Sequence, residues 1–575
     1  MPRLVRLRYL GLAAAVLLAV VAWLGGARPH GDLAVTPLTR AVILAGWLVG
    51  TAIFAYAWWA ARDRVPSGRW SLRTAALWAV PFLVVPPYGS RDVYSYACQG
   101  YLYVHGMSPY EHGVNALDCP WIGGVAPIWR DTVAPYGPLF VLLSAAGVRV
   151  AGGSVVLIVV FFRLLALLGV LAVAAGLPVL ARRCGIAPGR ACWVALAGPL
   201  VGGQLIGGMH NDAVMVGLVV AGLALVTLGA PPGPVGAGVS LRRARPVGTE
   251  AWSRAADRFG AGDPSGAGGR LGVAASMGGS RPFEGAAARL RVGTAGAGTG
   301  WDGWGCQVAG GLLLGLAVAI KVTAIVVVPF AVLLVLARPY RWRQALLAGG
   351  LVGGGAAVAM LGVTVASGLG YGWIGGLVTT KDLVQFTSPP TAIGMTATYL
   401  GKLVDSGFDA VPAARVLALL LFALLVVALG WRSALWGRPG DRLGVPGRLL
   451  CRLGGPVARA ADPGASALRG AALALAATVA LSPYFHPWYA YWPLALLAAT
   501  SVRTDLIMAV ATAGPLLVLA DGGVLADLVK FPGAPLMTLL LAGLLAWHLR
   551  PVSGPRAPVM PALARAGRTD LTSTG

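Results

Sequence analysis

Long apolar runs, separated by short basic or glycine-rich connectors, follow one another along most of the chain. Such runs predict membrane-spanning helices, because about 20 apolar residues at roughly 1.5 Å each cross the hydrocarbon core of a bilayer. The predicted spans are 9–26, 39–60, 71–87, 154–180, 191–208, 213–229, two within 303–338, 344–368, 413–431, 469–483, 490–502, 504–521 and 535–549. The pattern therefore predicts an all-α polytopic membrane protein with about 14 transmembrane helices.

One apolar run is too short to cross the membrane, and the first run of the chain could be either a membrane helix or a signal peptide. Residues 136–150, "YGPLFVLLSAAGVRV", hold only about 14 apolar positions, so we predict a juxtamembrane helix that lies along the outer surface. The first run, 9–26, follows a basic start and is long enough to span. Because "GGARPH" is a poor small-residue cleavage site, we predict a membrane helix there rather than a cleaved signal peptide.

The basic connectors indicate how the helices are oriented. Arginines concentrate in "ARDRVPSGR" (61–69), at Arg182 and Arg183, and in "WGRPGDRLGVPGRLLCRLGG" (436–455). Because basic loops remain on the cytoplasmic side, we predict a multi-pass plasma-membrane protein with both termini in the cytoplasm. Loop 88–136 then lies outside the cell.

The same pattern divides the chain into four parts. Residues 1–230 form an N-terminal membrane half, and 309–550 form a C-terminal one. Between them, 231–308 is rich in Gly, Ala and Arg without apolar periodicity, which predicts a disordered cytoplasmic insertion. Residues 551–575 are expected to be a disordered cytoplasmic tail.

Composition supports the membrane assignment. Hydrophobic residues make up 57% of the 575 positions and charged residues only 11%, which excludes a soluble globular protein. The formal net charge is +24, but the arginines lie in connectors rather than in a basic domain with interleaved aromatic residues. We therefore expect no nucleic-acid partner.

The polar clusters at the predicted span ends fall on one side of the membrane, the outer side. They are "GSRDVYSY" (89–96), "GGMHNDAVM" (207–215), "IKVT" (320–323), "TTKDLVQFTSPPT" (379–391) and "SPYFHPWYAYW" (482–492). Ionisable residues near bilayer depth are costly, so their clustering on one face indicates a shared site. A transporter would instead keep such groups near the midplane in two related halves. An outer-face enzyme is favoured, and a lipid or sugar transporter is the alternative.

Several of these stretches resemble a known family. "SRDVYSYACQGYLYVHGMSPYEHG", "WRDTVAPYGPLF", "GGMHNDAVMVGLVVAGL", "LGLAVAIKVTAIVVVPF" and "SPYFHPWYAYWPLALLAA" are similar to the actinobacterial polyprenol-phosphate-mannose-dependent α-1,6-mannosyltransferases. The resemblance implies a GT-C fold and transfer of mannose from a polyprenyl-phosphate donor to a mannosylated lipid acceptor of lipomannan or lipoarabinomannan type. An arabinosyltransferase that uses a lipid-linked sugar remains an alternative within the enzyme class.

The chemistry of such a donor narrows the catalytic needs. A lipid phosphate leaves as a stable anion, so the site must supply a base for the acceptor hydroxyl and positive charge for the phosphate. Asp92 is the first candidate base, in the position where the resemblance implies a first-loop aspartate, and His486 is the second because imidazole titrates near neutral pH. Lys321, inside an apolar run, is expected to hold the phosphate or else to extend to the headgroups.

Further residues of these clusters are predicted to bind substrate. His210 and Asp212 either orient the acceptor or cap the helix that follows, and the aromatic residues stack on sugars or form an interfacial belt. The predicted substrate-binding residues are Arg91, Tyr94, Gln99, Tyr136, His210, Asn211, Asp212, Lys321, Tyr484 and Trp488.

No cofactor or metal ion is expected. The spacing of His210, Asp212 and His486 matches no metal-site pattern, and the chain has no P-loop, dinucleotide fingerprint or DxD-like sequence. The absence of nucleotide-binding motifs agrees with a lipid-linked donor.

Two cysteines fall in the predicted external loop. Cys98 and Cys119 lie where disulfides persist, whereas the other four lie in spans or cytoplasmic connectors. A bridge between them and a pair of unpaired thiols are both compatible with the sequence.

Overall fold

The structure is a computed structural model, and it describes residues 2–29, 36–231, 301–336, 341–379, 384–435, 462–525 and 529–549. Within these ranges the chain is helical, apart from loops and a single β-bridge between Val518 and Val524. The helices before the long gap are α1 (Pro2–Gly25), α2 (Pro37–Ala61), α3 (Gly68–Ala79), α4 (Asp92–Val104), α5 (Pro138–Ala151), α6 (Val155–Arg183), α7 (Pro188–Leu196) and α8 (Asp212–Leu228).

The helices after the gap include several short ones. They are α9 (Trp301–Ile320), α10 (Val328–Val335), α11 (Trp342–Ser367), α12 (Trp373–Thr379), α13 (Pro389–Gly401), α14 (Val411–Leu435), α15 (Pro463–Leu481), α16 (Tyr491–Thr500), α17 (Asp505–Ala513) and α18 (Lys530–Leu549). The predicted all-α class is confirmed for the part of the chain that the structure describes.

Fewer helices than predicted are long enough to cross a membrane. In the described ranges seven qualify by length and composition, namely α1, α2, α6, α9, α11, α14 and α15. An eighth candidate joins the π-helix Leu200–Gly207 to α8 across a bend of 113°. The predicted count of about 14 spans is therefore not confirmed.

Interruptions explain much of the difference. The predicted span 71–87 is a 12-residue helix, α3, followed by a 3₁₀ segment that contains Pro81. The predicted spans 490–502 and 504–521 contain helices of only 10 and 9 residues, α16 and α17. The stretch 369–412, between the predicted spans 344–368 and 413–431, contains two helices, α12 and α13.

Several predictions lie outside the described residues. These are most of the insertion (232–300), the tail 551–575, Lys381 and Asp382 of the fourth polar cluster, and the connector 436–455 with Cys451.

Helix α8 lies between α6 and α9, and glycines allow the close packing. A Cβ added at Gly169 of α6 or Gly217 of α8 would collide with the backbone of the other helix, and Gly222 and Gly310 approach one another between α8 and α9. Small residues are the usual means by which membrane helices come close. Because α8 and α9 run antiparallel, the start of α8 at Asp212 lies beside the end of α9.

The segment between α4 and α5 folds over this end of the bundle. The segment contains short 3₁₀ turns at Val114–Ala116, Ile122–Gly124 and Pro127–Trp129. A disulfide joins Cys119 of this segment to Cys98 of α4, and their Cα atoms are 5.6 Å apart. The predicted short helix follows as α5. The loop between α4 and α5 is thus a fixed wall beside the helix ends.

Candidate active site

A cavity of about 1100 Å³ lies between this wall, the ends of α9 and α15 and the middle of α14. Seven of the predicted site residues line it, namely Asp92, Gln99, Tyr136, Lys321, Tyr484, His486 and Trp488. Residues from distant parts of the sequence therefore converge on one cavity of a size suited to a small-molecule ligand.

Asp92 is the first residue of α4 and lies in the cavity wall. Its backbone N–H donates to Oγ of Ser90 at 3.0 Å, and the hydroxyl of Tyr96 donates to Oδ2 of Asp92 at 3.3 Å. Nδ1 of His210 lies 3.4 Å from the same oxygen, and the carboxylate remains 15% exposed. It is held in place while one side stays accessible.

The charge state of Asp92 follows from these neighbours. Burial alone would raise the pKa of Asp92, but the contact with His210 and the electrostatic contributions of His486 and Lys321 outweigh burial and lower it. Asp92 is therefore ionised at neutral pH and able to accept a proton.

Trp488 is stacked between two histidines. Its ring centroid lies 3.6 Å from that of His210 and 4.3 Å from that of His486, with interplanar angles of 19° and 11°. Burial lowers the pKa of His486 to about 3, although the carboxylate of Asp92 opposes the shift. Burial thus keeps the imidazole of His486 neutral at neutral pH and lowers its basicity.

Lys321 is paired with a buried carboxylate. Nζ lies 2.9 Å from Oδ1 of Asp212, which also accepts the indole N–H of Trp492 at 2.6 Å. The ammonium group lies 4.4 Å from the ring centroid of Tyr489 and 5.0 Å from that of Trp492. Lys321 lines the cavity, but Asp212 compensates much of its charge.

The remaining predicted residues do not line the cavity. Tyr94 is two positions after Asp92, about 200° around the helix, and its hydroxyl donates to the carbonyl of Ala27. Arg91 precedes α4, and His210, Asn211 and Asp212 are buried without lining the cavity. In the structure Asp212 is the partner of Lys321.

Other lining residues were not among the predicted sites. They include the polar or aromatic residues Ser95, Tyr96, Trp129, Asp131, Tyr489 and Trp492, and the apolar residues Leu419, Phe422 and Leu481. One signal was available in the sequence: Asp92, Ser95, Tyr96 and Gln99 occupy positions i, i+3, i+4 and i+7, which is one face of a helix.

A buried arginine in an apolar helix was also missed. Arg163 of α6 donates to the carbonyls of Leu83 at 3.0 Å, Val85 at 2.8 Å and Ile206 at 3.4 Å. These carbonyls belong to the two segments that lead to Asp92 and His210. The guanidinium therefore holds together the segment that leads to Asp92 and the segment that leads to His210. These two residues form the carboxylate–imidazole contact.

A metal site does not emerge from the part of the chain that the structure describes. No three His, Cys, Asp or Glu side chains there are grouped so that they could hold an ion. Whether the reaction needs a metal is a separate question.

Two family models match the chain. Residues 8–259 match "Alpha-(1->6)-mannopyranosyltransferase, N-terminal domain", and residues 456–547 match "MptB C-terminal domain". The chain is 30% identical over 529 residues to an alpha-(1->6)-mannopyranosyltransferase of Mycobacterium tuberculosis, covering 87% of this chain and 79% of that protein.

Further relatives agree with these matches. Alpha-(1->6)-mannopyranosyltransferase A of the same organism is 27% identical over 80% of this chain and 72% of its own length. Alpha-(1->6)-mannopyranosyltransferase A of Corynebacterium glutamicum is 37% identical over 27% of this chain and 31% of its own length. No solved structure matches the chain.

Proposed function

Because the chain belongs to the actinobacterial alpha-(1->6)-mannopyranosyltransferase family and is a glycosyltransferase, we propose that it transfers mannose from polyprenyl-phosphate mannose. The acceptor is a growing α-1,6-mannan of lipomannan or lipoarabinomannan type, attached to a lipid. The reaction takes place on the outer face of the plasma membrane, within a GT-C fold, and inverts the anomeric centre.

One observation carries the proposal: the same cavity has both the carboxylate of Asp92 and an apolar wall. Leu419 and Phe422 of α14 and Leu481 of α15 line the apolar wall, and Leu419 is 64% exposed on a membrane-crossing candidate. A donor with a long apolar tail and a sugar at its head needs both surfaces. A water-soluble nucleotide sugar would have no use for the apolar wall.

The proposed step is one displacement. The 6-hydroxyl oxygen of the acceptor forms a bond to C1 of mannose while the bond from C1 to the phosphate oxygen breaks. Asp92 accepts the hydroxyl proton, and the lipid phosphate leaves with the bonding electrons. A β-linked donor, which the family implies, then gives an α-linked product without a covalent enzyme intermediate.

Lys321 faces the cavity with part of its hydrogen-bonding capacity unused by Asp212. An ammonium group has three N–H donors, and one is directed to Oδ1 of Asp212. We assign the remaining donors to the phosphate of the lipid. The leaving group is a monophosphate, which gives less reason for a bridging cation than a diphosphate, so we expect transfer to persist in a chelator.

The test is a membrane assay with polyprenyl-phosphate mannose and a synthetic α-1,6-mannoside acceptor. We expect a product one mannose longer, cleaved by an α-1,6-specific mannosidase, and no product with polyprenyl-phosphate arabinose. Transfer of arabinose instead of mannose would assign the arabinosyl alternative. Uptake of intact donor lipid without transfer would favour a transporter.

A further inference from the structure

The outer rim of the cavity presents a carboxylate that the displacement step does not use. Asp131 is exposed and lines the cavity. Its Oδ1 accepts the side-chain amide N–H of Asn115 at 2.8 Å, and the backbone N–H of Asn115 donates to the carbonyl of Arg130 at 3.0 Å. Asp131 is therefore held in place by its own loop. Its other carboxylate oxygen, Oδ2, takes no part in the hydrogen bond with Asn115.

An indole two positions before this carboxylate lines the same cavity. Trp129 is half-buried, and its ring centroid is 6.5 Å from those of Tyr484 and His486. The C–H face of a pyranose packs against an aromatic ring, while a carboxylate accepts strong hydrogen bonds from adjacent hydroxyls. The pair offers both contacts that a sugar ring needs.

The loop that carries the pair is fixed before any ligand arrives. The Cys98–Cys119 disulfide ties it to α4, the N–H of Ala134 donates to the carbonyl of Pro109 at 2.8 Å, and the hydroxyl of Tyr110 donates to the carbonyl of Tyr136 at 2.9 Å. A site held in this way loses little conformational entropy when it binds.

We infer that Trp129 and Asp131 form a subsite for the second mannose of the acceptor chain, counted from the end that is extended. The inference rests on the proposed function, in which the terminal mannose lies at Asp92. The subsite is polar and exposed, as a chain leading away from the membrane requires, whereas the lipid donor matches the apolar wall of α14 and α15. Its ligand class is an α-linked mannoside with free adjacent hydroxyls.

The test compares acceptors of different length in purified full-length protein. Asp131→Asn is expected to raise KM for an α-1,6-dimannoside about tenfold, which corresponds to the loss of one charge-assisted hydrogen bond. Trp129→Leu is expected to raise the same KM about tenfold through the loss of ring packing against the sugar. The KM for an octyl α-mannoside and the KM for donor should change less than twofold. Trp129→Phe, which keeps a ring, should fall between wild type and Trp129→Leu. Asp118→Asn is the control, because Asp118 is exposed in the same loop but does not line the cavity.

Direct binding separates this inference from the proposed function. Titration of α-1,6-trimannoside, followed by tryptophan fluorescence, should give saturable binding that Asp131→Asn weakens and Asp118→Asn does not. That result supports the subsite even if wild-type protein transfers no mannose, in which case only the proposed function fails. The subsite is overturned if Asp131→Asn leaves trimannoside affinity unchanged, or if it raises KM equally for the one-sugar and two-sugar acceptors.

Discussion

Nδ1 of His210 lies 3.4 Å from Oδ2 of Asp92, and the His210 ring is stacked on Trp488. Three segments far apart in the sequence therefore meet at one carboxylate. The contact is buried on the side of His210 and open to the cavity on the side of Asp92. An imidazole placed in this way orients the carboxylate and lowers its pKa without occupying the space that a substrate needs.

Replacement of Asp92 by Asn should remove the proton acceptor while preserving size. A positioned base contributes about 10²- to 10⁴-fold, so we expect kcat to fall by about that factor with donor KM little changed. The assay is initial-rate mannosyl transfer, with Asp118→Asn as the control. If Asp92→Asn retains near-normal turnover and His486→Ala loses it, His486 is the base.

The contact with His210 predicts a shift in pH dependence. His210→Phe keeps a ring stacked on Trp488 but removes the largest contribution that opposes the effect of burial, so the pKa of Asp92 should rise. A base must be deprotonated, and the acidic limb of the kcat/KM profile should therefore move to higher pH. The exposed His112→Phe serves as the control. A lower rate with an unmoved limb would mean that His210 does not set the basicity of Asp92.

Much of the site could be predicted because charge in an apolar sequence is conspicuous. Asp92, His486 and Lys321 stood out at the ends of apolar runs, and all three line the cavity. Which charges pair could not be predicted, because the pairing of Lys321 with Asp212 depends on the antiparallel packing of α8 and α9. Arg163 was missed since hydropathy averages over a window, and one buried arginine in a long apolar helix barely changes the mean.

The number of spans was harder to predict than the helical class. Apolar runs of similar hydropathy form either one long helix or a short helix followed by a tight turn, and the outcome depends on local breaks. Pro81 ends α3 early, and the chain leaves helical geometry at Lys321, where φ is −152°. Hydropathy alone does not distinguish a lipid-facing helix from a short helix buried in the bundle.

The disulfide between Cys98 and Cys119 should stabilise the protein. In the chain-entropy model a loop of this length contributes about 3 kcal/mol. We expect the Cys98→Ser/Cys119→Ser double variant to unfold several degrees lower in detergent, and reductant to lower the melting temperature of wild type but not of the variant. Cys306→Ser, at a free cysteine, is the control. Equal melting temperatures with and without reductant would count against a stabilising bridge.

The proposed orientation can be tested with single cysteines at exposed positions. A cysteine in place of Ser90 would react poorly with a labelling reagent, because Ser90 is only 3% exposed. His112 and Arg64 are exposed and are therefore better positions. In a background without the other free cysteines, His112→Cys should react with an impermeant maleimide in intact cells, and Arg64→Cys only after lysis. The reverse pattern would place the cavity on the cytoplasmic side and rule out the outer-face proposal.

The ion pair between Lys321 and Asp212 makes a prediction about stability. Their side chains are only 11% and 1% exposed, so removing either partner leaves a buried charge uncompensated, at a cost of about 3–5 kcal/mol. Lys321→Met and Asp212→Asn should each lower the melting temperature strongly. The double variant leaves no buried charge at this position and should recover much of the loss.

The same variants separate structural support from donor binding by Lys321. If the ammonium group also binds the lipid phosphate, Lys321→Met should raise donor KM and lower kcat, since the phosphate then leaves without a nearby cation. The double variant should recover thermal stability but not donor KM, because restored packing returns no positive charge to the cavity. Recovery of both would assign Lys321 a purely structural role. A Lys321→Met variant as stable as wild type, with only donor KM raised, would show that the pair with Asp212 contributes little to the fold.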